Sequence, residues 1–231
     1  MKEEERIIVT KNGPYQIKGK IPLAKEISKV GKDGNPEKWE KGEKYPYKKE
    51  YFLCRCGKSK NKPFCDGSHI SSKFDGTETA TRKKDLEEIG NISGPNLNLI
   101  DIQKLCAGAR FCHRAEGVWN LVKKSDDKSK KIAIEEACNC PSGRLVVCDK
   151  KTGKSIEPKF KQEISLIEDE GAKVSGPIWV KGKIKIESSY GKEYEPRNRV
   201  TLCRCGRSNN KPFCDGTHLD IKFSDKNHSR N

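Results

Sequence analysis

One short stretch dense in metal-binding side chains occurs twice, and it constrains the fold more than any other feature of the chain. The first copy begins Cys54-Arg55-Cys56-Gly57-Lys58-Ser59. After Pro63 it ends Phe64-Cys65-Asp66-Gly67-Ser68-His69. The second begins Cys203-Arg204-Cys205-Gly206-Arg207-Ser208. After Pro212 it ends Phe213-Cys214-Asp215-Gly216-Thr217-His218. Sulfur and imidazole suit zinc and iron–sulfur centres, whereas magnesium and calcium prefer oxygen. A Cys-x-Cys pair is tighter than a zinc knuckle, where about two to four residues separate the cysteines. It sets two sulfurs on one ion only if the backbone turns sharply, which Gly57 and Gly206 permit. Asp66 and Asp215, each just before Gly-Ser/Thr-His, are expected to cap a short helix start and orient the ligand loop. Backbone N–H groups at that start favour an anionic centre.

Both copies resemble the CDGSH (NEET) iron–sulfur signature: Cys-x-Cys, a Ser three residues on, a Pro four later, then x-Cys-Asp-Gly-Ser-His. Thr217 replaces Ser in the second copy. The resemblance implies one 2Fe-2S cluster per copy. Its ligands are Cys54, Cys56, Cys65 and His69 in the first, and Cys203, Cys205, Cys214 and His218 in the second. An imidazole in place of a thiolate removes one negative charge, which raises the reduction potential, as in Rieske centres. The outer ring nitrogen can titrate, and an imidazole is more readily protonated off the metal than held there in mild acid. Electron transfer and cluster release both follow. Two readings compete for the same side chains: a tetrahedral Cys₃His zinc site, and histidines that are plain surface residues. A disulfide framework is set aside, because the 11 cysteines are odd in number and the start Met1-Lys2-Glu3-Glu4-Glu5-Arg6 is no signal peptide.

The repeat extends beyond the motifs. Gly13-Pro14-Tyr15-Gln16-Ile17-Lys18-Gly19-Lys20-Ile21 matches Gly176-Pro177-Ile178-Trp179-Val180-Lys181-Gly182-Lys183-Ile184 in pattern. Lys73-Phe74 and Lys222-Phe223 follow the two histidines at equal distance. Ile7–Val9 and Tyr15–Leu23 read as strands by alternation. The first copy carries extra length in the Gly/Lys/Pro-rich stretch from Val30 to Tyr47, expected to be a loop. Single-motif NEET proteins form dimers with a shared β-cap. The resemblance therefore implies an intramolecular pseudo-dimer within a monomer, the alternative being two independent beads. Strands near Ile17 and Val180, with Tyr51–Leu53 and Val200–Leu202, are expected to form the shared β part. The fold class is mainly β with an α/β insert: residues 1–80 and 168–231 as the two modules, 81–167 as a small ferredoxin-like middle domain.

In that middle region, Leu99, Ile100, Ile102 and Leu105 lead into Cys106-Ala107-Gly108-Ala109-Arg110-Phe111-Cys112-His113, spaced as for a helix bearing both cysteines. Lys123–Lys131 reads as an exposed turn, Ile132–Ala137 as helix, and the residues through Val147 as a strand. The region resembles divergent mono-cluster ferredoxin segments, with Cys140-Pro141 closing a ligand set. The resemblance implies a third cluster, 3Fe-4S or 4Fe-4S, drawn from Cys106, Cys112, Cys138 and Cys140, with His113 as a substitute. The usual tight cysteine run is absent. The competing reading is a helical spacer with buried thiols, as expected of Cys148.

At 32% hydrophobic and 35% charged residues, apolar core is scarce, which suits small metal-stapled modules better than one large core. The net charge of +15 favours acidic partners, read here as redox or cluster-acceptor proteins. The lysines are scattered without aromatic interleaving, which argues against nucleic acid. No apolar run reaches membrane-spanning length, and the expected location is the reducing cytoplasm. No nucleotide loop, Ser/His/Asp arrangement or paired-carboxylate motif is present, so no enzyme activity is expected. Function is expected to be electron transfer, or cluster storage and transfer. A zinc-stabilised interaction module and an electron-transfer subunit of a larger redox enzyme are the alternatives.

Overall fold

The computed structural model of the chain describes residues 5–81 and 89–225. Residues 1–4, 82–88 and 226–231 of the expected segments lie outside the described residues. The first repeat supplies β1 (Arg6–Val9), β2 (Tyr15–Lys18), β3 (Leu23–Val30), β4 (Pro36–Tyr45), β5 (Glu50–Leu53) and the single turn α1 (Ser68–Ser71). β2 buries Tyr15 and Ile17 and turns Gln16 and Lys18 outward, the period of a strand with one wet face. Gly19, at φ +90°, ends it. The stretch expected as one strand from Tyr15 to Leu23 is therefore two.

The Lys-rich stretch expected as a loop forms β4 instead. It pairs antiparallel with β3, from Leu23 opposite Tyr45 to Val30 opposite Pro36. Only one neighbour pairs with it, and its lysines lie on the sheet edge, where charge discourages further pairing. Strand and polar loop look alike in such a sequence.

The middle segment holds β6 (Ile89–Ser93), β7 (Leu97–Ile102), α2 (Val118–Leu121), α3 (Asp127–Asn139), β8 (Leu145–Asp149) and β9 (Ser155–Ile156). These strands form their own sheet, β6-β7-β8-β9. Helices α2 and α3 pack on it around Leu97, Leu99, Val118, Leu121, Ala133, Leu145 and Val147. The helix expected to carry Cys106 and Cys112 is absent. Leu97 and Leu99 alternate into the core as β7, and the positive φ of Gly108 (+68°) and Arg110 (+64°) breaks any helix after it. Short 3₁₀ turns at Gln103–Leu105 and Phe111–His113 flank the loop. α3 begins earlier than expected, because Asp126 caps it by accepting from the Ser129 N–H at 2.9 Å, so most of the expected Lys123–Lys131 turn is helix.

The second repeat supplies β10 (Glu163–Asp169), β11 (Val174–Lys181), β12 (Lys185–Glu187), β13 (Arg199–Leu202) and α4 (Thr217–Asp220). β10 runs across the boundary expected after residue 167. The repeats are interlocked by exchanged strands. One sheet runs β12-β1-β2-β5, and the other β13-β11-β10-β3-β4. β12 of the second repeat joins the first repeat's sheet, parallel to β1, with Ile186 opposite Ile7. β3 of the first repeat joins the second's sheet, parallel to β10, with Leu23 opposite Ile164. The strands named in advance thus lie two in each sheet, and the sharing runs through β3 and β12. One core, including Ile7, Ile17, Leu23, Leu53, Ile164, Val180, Ile186 and Leu202, fills the space between the sheets.

This exchange predicts a single cooperative unit. Leu23→Ala removes a buried side chain of the first repeat that packs in the second repeat's sheet, at a cost of about 2–5 kcal/mol. Urea unfolding should remain one transition at lower denaturant, with faster amide exchange in β11 and β13. A second-repeat transition left at its wild-type position would show independent modules.

Candidate metal centres

In each repeat, a strand delivers the Cys-x-Cys pair and a one-turn helix delivers the histidine. β5 and β13 run directly into the cysteines. The Cys54 N–H bonds to the Pro63 carbonyl at 2.8 Å, and the Cys203 N–H to the Pro212 carbonyl at 2.8 Å. The bonds Lys62–Pro63 and Lys211–Pro212 are cis. Ser59 donates its hydroxyl to the Phe64 carbonyl at 2.6 Å, and Ser208 to the Phe213 carbonyl at 2.7 Å, closing the loop between the two ligand pairs.

The ligands stand in pairs. A tetrahedral ion binding sulfur at about 2.3 Å and imidazole nitrogen at about 2.0 Å holds two sulfurs about 3.8 Å apart, and sulfur and nitrogen about 3.5 Å apart. Cys54 Sγ lies 3.8 Å from Cys56 Sγ, and Cys203 Sγ lies 3.7 Å from Cys205 Sγ. Cys65 Sγ lies 3.5 Å from His69 Nδ1, and Cys214 Sγ lies 3.4 Å from His218 Nδ1. Each pair therefore has the spacing of two ligands on one ion. Among the described residues, no three His, Cys, Asp or Glu side chains gather around a single point as ligands of one ion. The donor set and its geometry fit two metal ions per motif.

The thiols are prepared for metal. A hydrogen bond from Cys56 holds the Cys54 thiol down at about 6, and one from Cys205 holds Cys203 down at about 7. The partner of each pair is pushed up by the same hydrogen bond and by burial. Burial raises Cys65 and Cys214. Burial also lowers His218 to about 4, keeping its imidazole neutral and able to ligate.

The aspartates stand one residue before the cap position, yet each carboxylate satisfies the first N–H of its helix. Gly67 and Gly216 hold the cap positions at φ +87° and +92°. Asp66 also ties the two halves of its motif together. Its Oδ1 accepts from the Ser68 N–H at 2.9 Å, and its Oδ2 from the Lys60 N–H at 2.7 Å. Asp215 does the same with Thr217 and Asn209, at 3.0 and 2.7 Å. Hydrogen bonds, from Ser68 first, pull Asp66 well below the usual carboxylate range.

Sequence reasoning missed the arginines inside Cys-x-Cys. Arg55 and Arg204 are 1% and 2% exposed. Arg55 donates to the carbonyls of Thr10 at 3.2 Å and Gly76 at 2.5 Å, over the rings of Tyr15 and Phe74. Arg204 donates to the carbonyls of Gly176 at 2.8 Å and Ile167 at 2.9 Å, pairs with Glu168 and Asp225, and covers Phe223. Each ties the loop between the two cysteines to neighbouring backbone. The matched Lys-Phe pairs after the histidines were the available signal, since Phe74 and Phe223 are the platforms.

The two ligand loops meet. A Cβ at Gly57 would lie 2.5 Å from the Cys205 carbonyl oxygen, and one at Gly206 would lie 2.5 Å from the Cys56 carbonyl oxygen. Tyr15, from the first repeat, donates to the carbonyls of Cys203 at 2.9 Å and Pro212 at 3.0 Å.

The middle segment brings Cys106, Cys112 and Cys140 to one cavity, with Arg110, Ser142 and Arg144 also lining it. Burial pushes the Cys112 thiol up to about 12. Arg144 is fixed by a bidentate contact with Asp101, at 2.6 and 2.9 Å. Cys138 is not in that lining, and its thiol points at the Ile156 carbonyl, 3.7 Å away. His113 stacks near Trp119, ring centres 5.1 Å apart, and is also outside the lining. Cys148 is buried in β8. The cavity abuts the second motif: Ala107, Ala109 and Pro141 line both it and a smaller cavity that His218 lines.

A family model described as an iron-binding zinc finger of CDGSH type matches residues 12–70 and 175–219. One described as a divergent 4Fe-4S mono-cluster matches residues 92–150. No curated protein and no solved structure gives a significant match.

The loop contact predicts crosstalk between the motifs. Gly57→Ala adds a Cβ at positive φ against the Cys205 backbone, a strain of roughly 1–3 kcal/mol. Iron retained at the second motif, followed by alkylation of Cys203, Cys205 and Cys214, should fall although no ligand changed. Loss confined to the first motif would show that the loops do not bear on each other.

Proposed function

Because the chain is an iron–sulfur protein with two CDGSH-type segments around a divergent 4Fe-4S mono-cluster segment, we propose that it carries single electrons along three adjacent centres. Each CDGSH motif is read as a 2Fe-2S site with three cysteines and one histidine. The observation that carries this reading is the pairing of ligands: Cys-x-Cys at 3.8 and 3.7 Å, and Cys–His at 3.5 and 3.4 Å, as on two ions rather than one. A mononuclear zinc site requires all four donors at such distances from each other. The middle cavity is read as a third site on Cys106, Cys112 and Cys140. Three thiolates suit a 3Fe-4S cluster, or a 4Fe-4S cluster whose fourth iron takes a ligand other than cysteine.

A bound iron–sulfur cluster supplies a one-electron couple, and the chain sets its terms. The imidazoles of His69 and His218 leave each motif one negative charge lighter than four thiolates would. The buried guanidiniums of Arg55 and Arg204 brace the Cys-x-Cys loops through backbone carbonyls, keeping the cysteines in place. Asp66 and Asp215 hold the Cys-x-Cys loop to the histidine turn, keeping ligand positions fixed between charge states. Contact between the two Cys-x-Cys loops, and between the second motif and the Cys106 loop, supports relay through the chain. The chain is read as a carrier for redox partners and has no substrate of its own. Among the described residues no helix is long and apolar enough to cross a membrane. Cluster donation is a second reading, favoured by the half-buried Cys65 and His69.

Metal and acid-labile sulfide per chain, on protein purified without oxygen, test the proposal. Two 2Fe-2S clusters and a third centre give about seven or eight irons, two clusters alone about four. Zinc without sulfide would overturn it. His69→Cys and His218→Cys should keep colour, lower the potential of the altered cluster and slow its loss below pH 6 or so, because thiolate is anionic and imidazole is neutral. Unchanged potentials and acid stability would remove the histidines from the ligand set.

A further inference from the structure

The two CDGSH repeats present matching surfaces to different surroundings. The residue after each ligand histidine is apolar, Ile70 in the first and Leu219 in the second. Leu219 packs on the middle segment, so closely that a Cβ at Gly108 would lie 2.5 Å from Leu219 Cδ1. A Cβ at Gly216 would lie 3.5 Å from the Cys106 carbonyl oxygen. Under that cover His218 is 4% exposed and Cys214 is 3% exposed. Ile70 is 75% exposed, and His69 and Cys65 are only half-buried. One small-residue loop, Cys106-Ala107-Gly108-Ala109, therefore closes the second face, while the first face has no counterpart among the described residues. The loop that closes it also carries a cysteine of the middle cavity.

We propose that the open face around His69 and Ile70 is the docking port for an acidic, one-electron iron–sulfur protein. That partner presents a small-residue ligand loop of its own, as the Cys106 loop does at the second repeat. The inference rests on the reading of the motifs as iron–sulfur sites. Ile70 stands exposed where its counterpart Leu219 is packed on the middle segment, so the first face lacks the cover that the second has. The rim of the first face carries exposed Lys58, Lys60 and Lys73, with Lys62 half-exposed. At the closed face the corresponding residues are Arg207, Asn209, Lys222 and Lys211. The acidic residues on the open rim are Asp66 and Asp75. Both oxygens of Asp66 accept from backbone N–H groups, and Asp75 accepts from Thr77. In a chain of net charge +15, this rim steers a negatively charged surface toward the site and disfavours a basic one. The step is a single electron passing from the partner's reduced cluster to the first site. The partner is oxidised, this chain is reduced, and no proton or bond changes place. The second site then receives its electron through the touching Cys-x-Cys loops rather than from solution.

The test uses the intact iron-loaded chain and a reduced acidic plant-type 2Fe-2S ferredoxin as the probe, mixed in stopped flow. The variants are Lys58→Glu/Lys60→Glu/Lys73→Glu, Ile70→Asp, and a control with Lys123→Glu/Lys128→Glu/Lys131→Glu on the middle segment. Iron and sulfide are measured on every sample. The port requires the first triple variant to lower the second-order rate at least tenfold at low salt and to lose its salt dependence. It also requires Ile70→Asp to lower the rate at all salt concentrations, with the control near wild type. Full iron content with the control slowed as much as the rim variant, or with the rim variant unslowed, overturns the port alone. Protein without iron and sulfide overturns the iron–sulfur reading and the port with it.

Discussion

Two backbone carbonyls fix the centre of this molecule. The Cys56 and Cys205 carbonyls each press against the glycine that follows the other repeat's Cys-x-Cys pair, leaving no room for a Cβ at Gly57 or Gly206. Both glycines also adopt positive φ, at +74° and +79°, so the requirement is both steric and conformational. The two ligand loops consequently lie back to back. Strand exchange through β3 and β12 makes that contact stable, because neither sheet is complete without a strand from the other repeat. A small polar chain thereby obtains one shared core from two repeats that lack enough apolar surface singly.

The side-chain pairs proposed as ligands were legible in the sequence because their chemistry is local. A turn that places Cys54 near Cys56, or Cys65 near His69, spans only a few residues, so spacing alone carries it. The pseudo-dimer was legible as a repeat, but its mechanism was not, since parallel pairing of β12 with β1 joins Ile7 to Ile186, far apart in the chain. β4 read as a loop because an edge strand needs few apolar residues. β7 read as a helix because Leu99, Ile102 and Leu105 fit a helical period as well as Leu97 and Leu99 fit alternation. The decisive signals were Gly108 and Arg110, whose left-handed backbone only the structure displays. Arg55 and Arg204 drew no role from the sequence, yet both are buried, because most of their partners are backbone carbonyls that no sequence pattern marks.

The asymmetry between the repeats was the least legible feature, and it has the largest consequence. The motifs differ by few residues, so nothing in them says that one histidine is covered and the other open. The difference arises from the insert. The middle segment leaves β5's ligand loop behind and re-enters through β10, and on the way its Cys106–Ala109 loop settles on α4. Nothing among the described residues settles on α1. A symmetric scaffold thus acquires a direction. The face at His69 meets solution, the loops at Gly57 and Gly206 join the repeats, and the loop at Gly108 joins the second repeat to the middle cavity.

Direction in such a chain comes from burial and charge acting together. His218 loses its access to water and its protonated form in the same step, since desolvation disfavours the cation and lowers its pKa to about 4. Arg204 and Arg110 supply positive charge on the same side; Arg110 is held by Asp169 at 2.6 Å. The second motif therefore sits in a drier setting, with His218 kept neutral. The first motif keeps a solvent-facing imidazole and a ring of lysines. Two motifs with matching side chains need not give a bound centre equal potential or equal lability when one is sealed and the other is not. The insert, which contributes no ligand to either CDGSH motif, sets that difference by the placement of two alanines and a glycine.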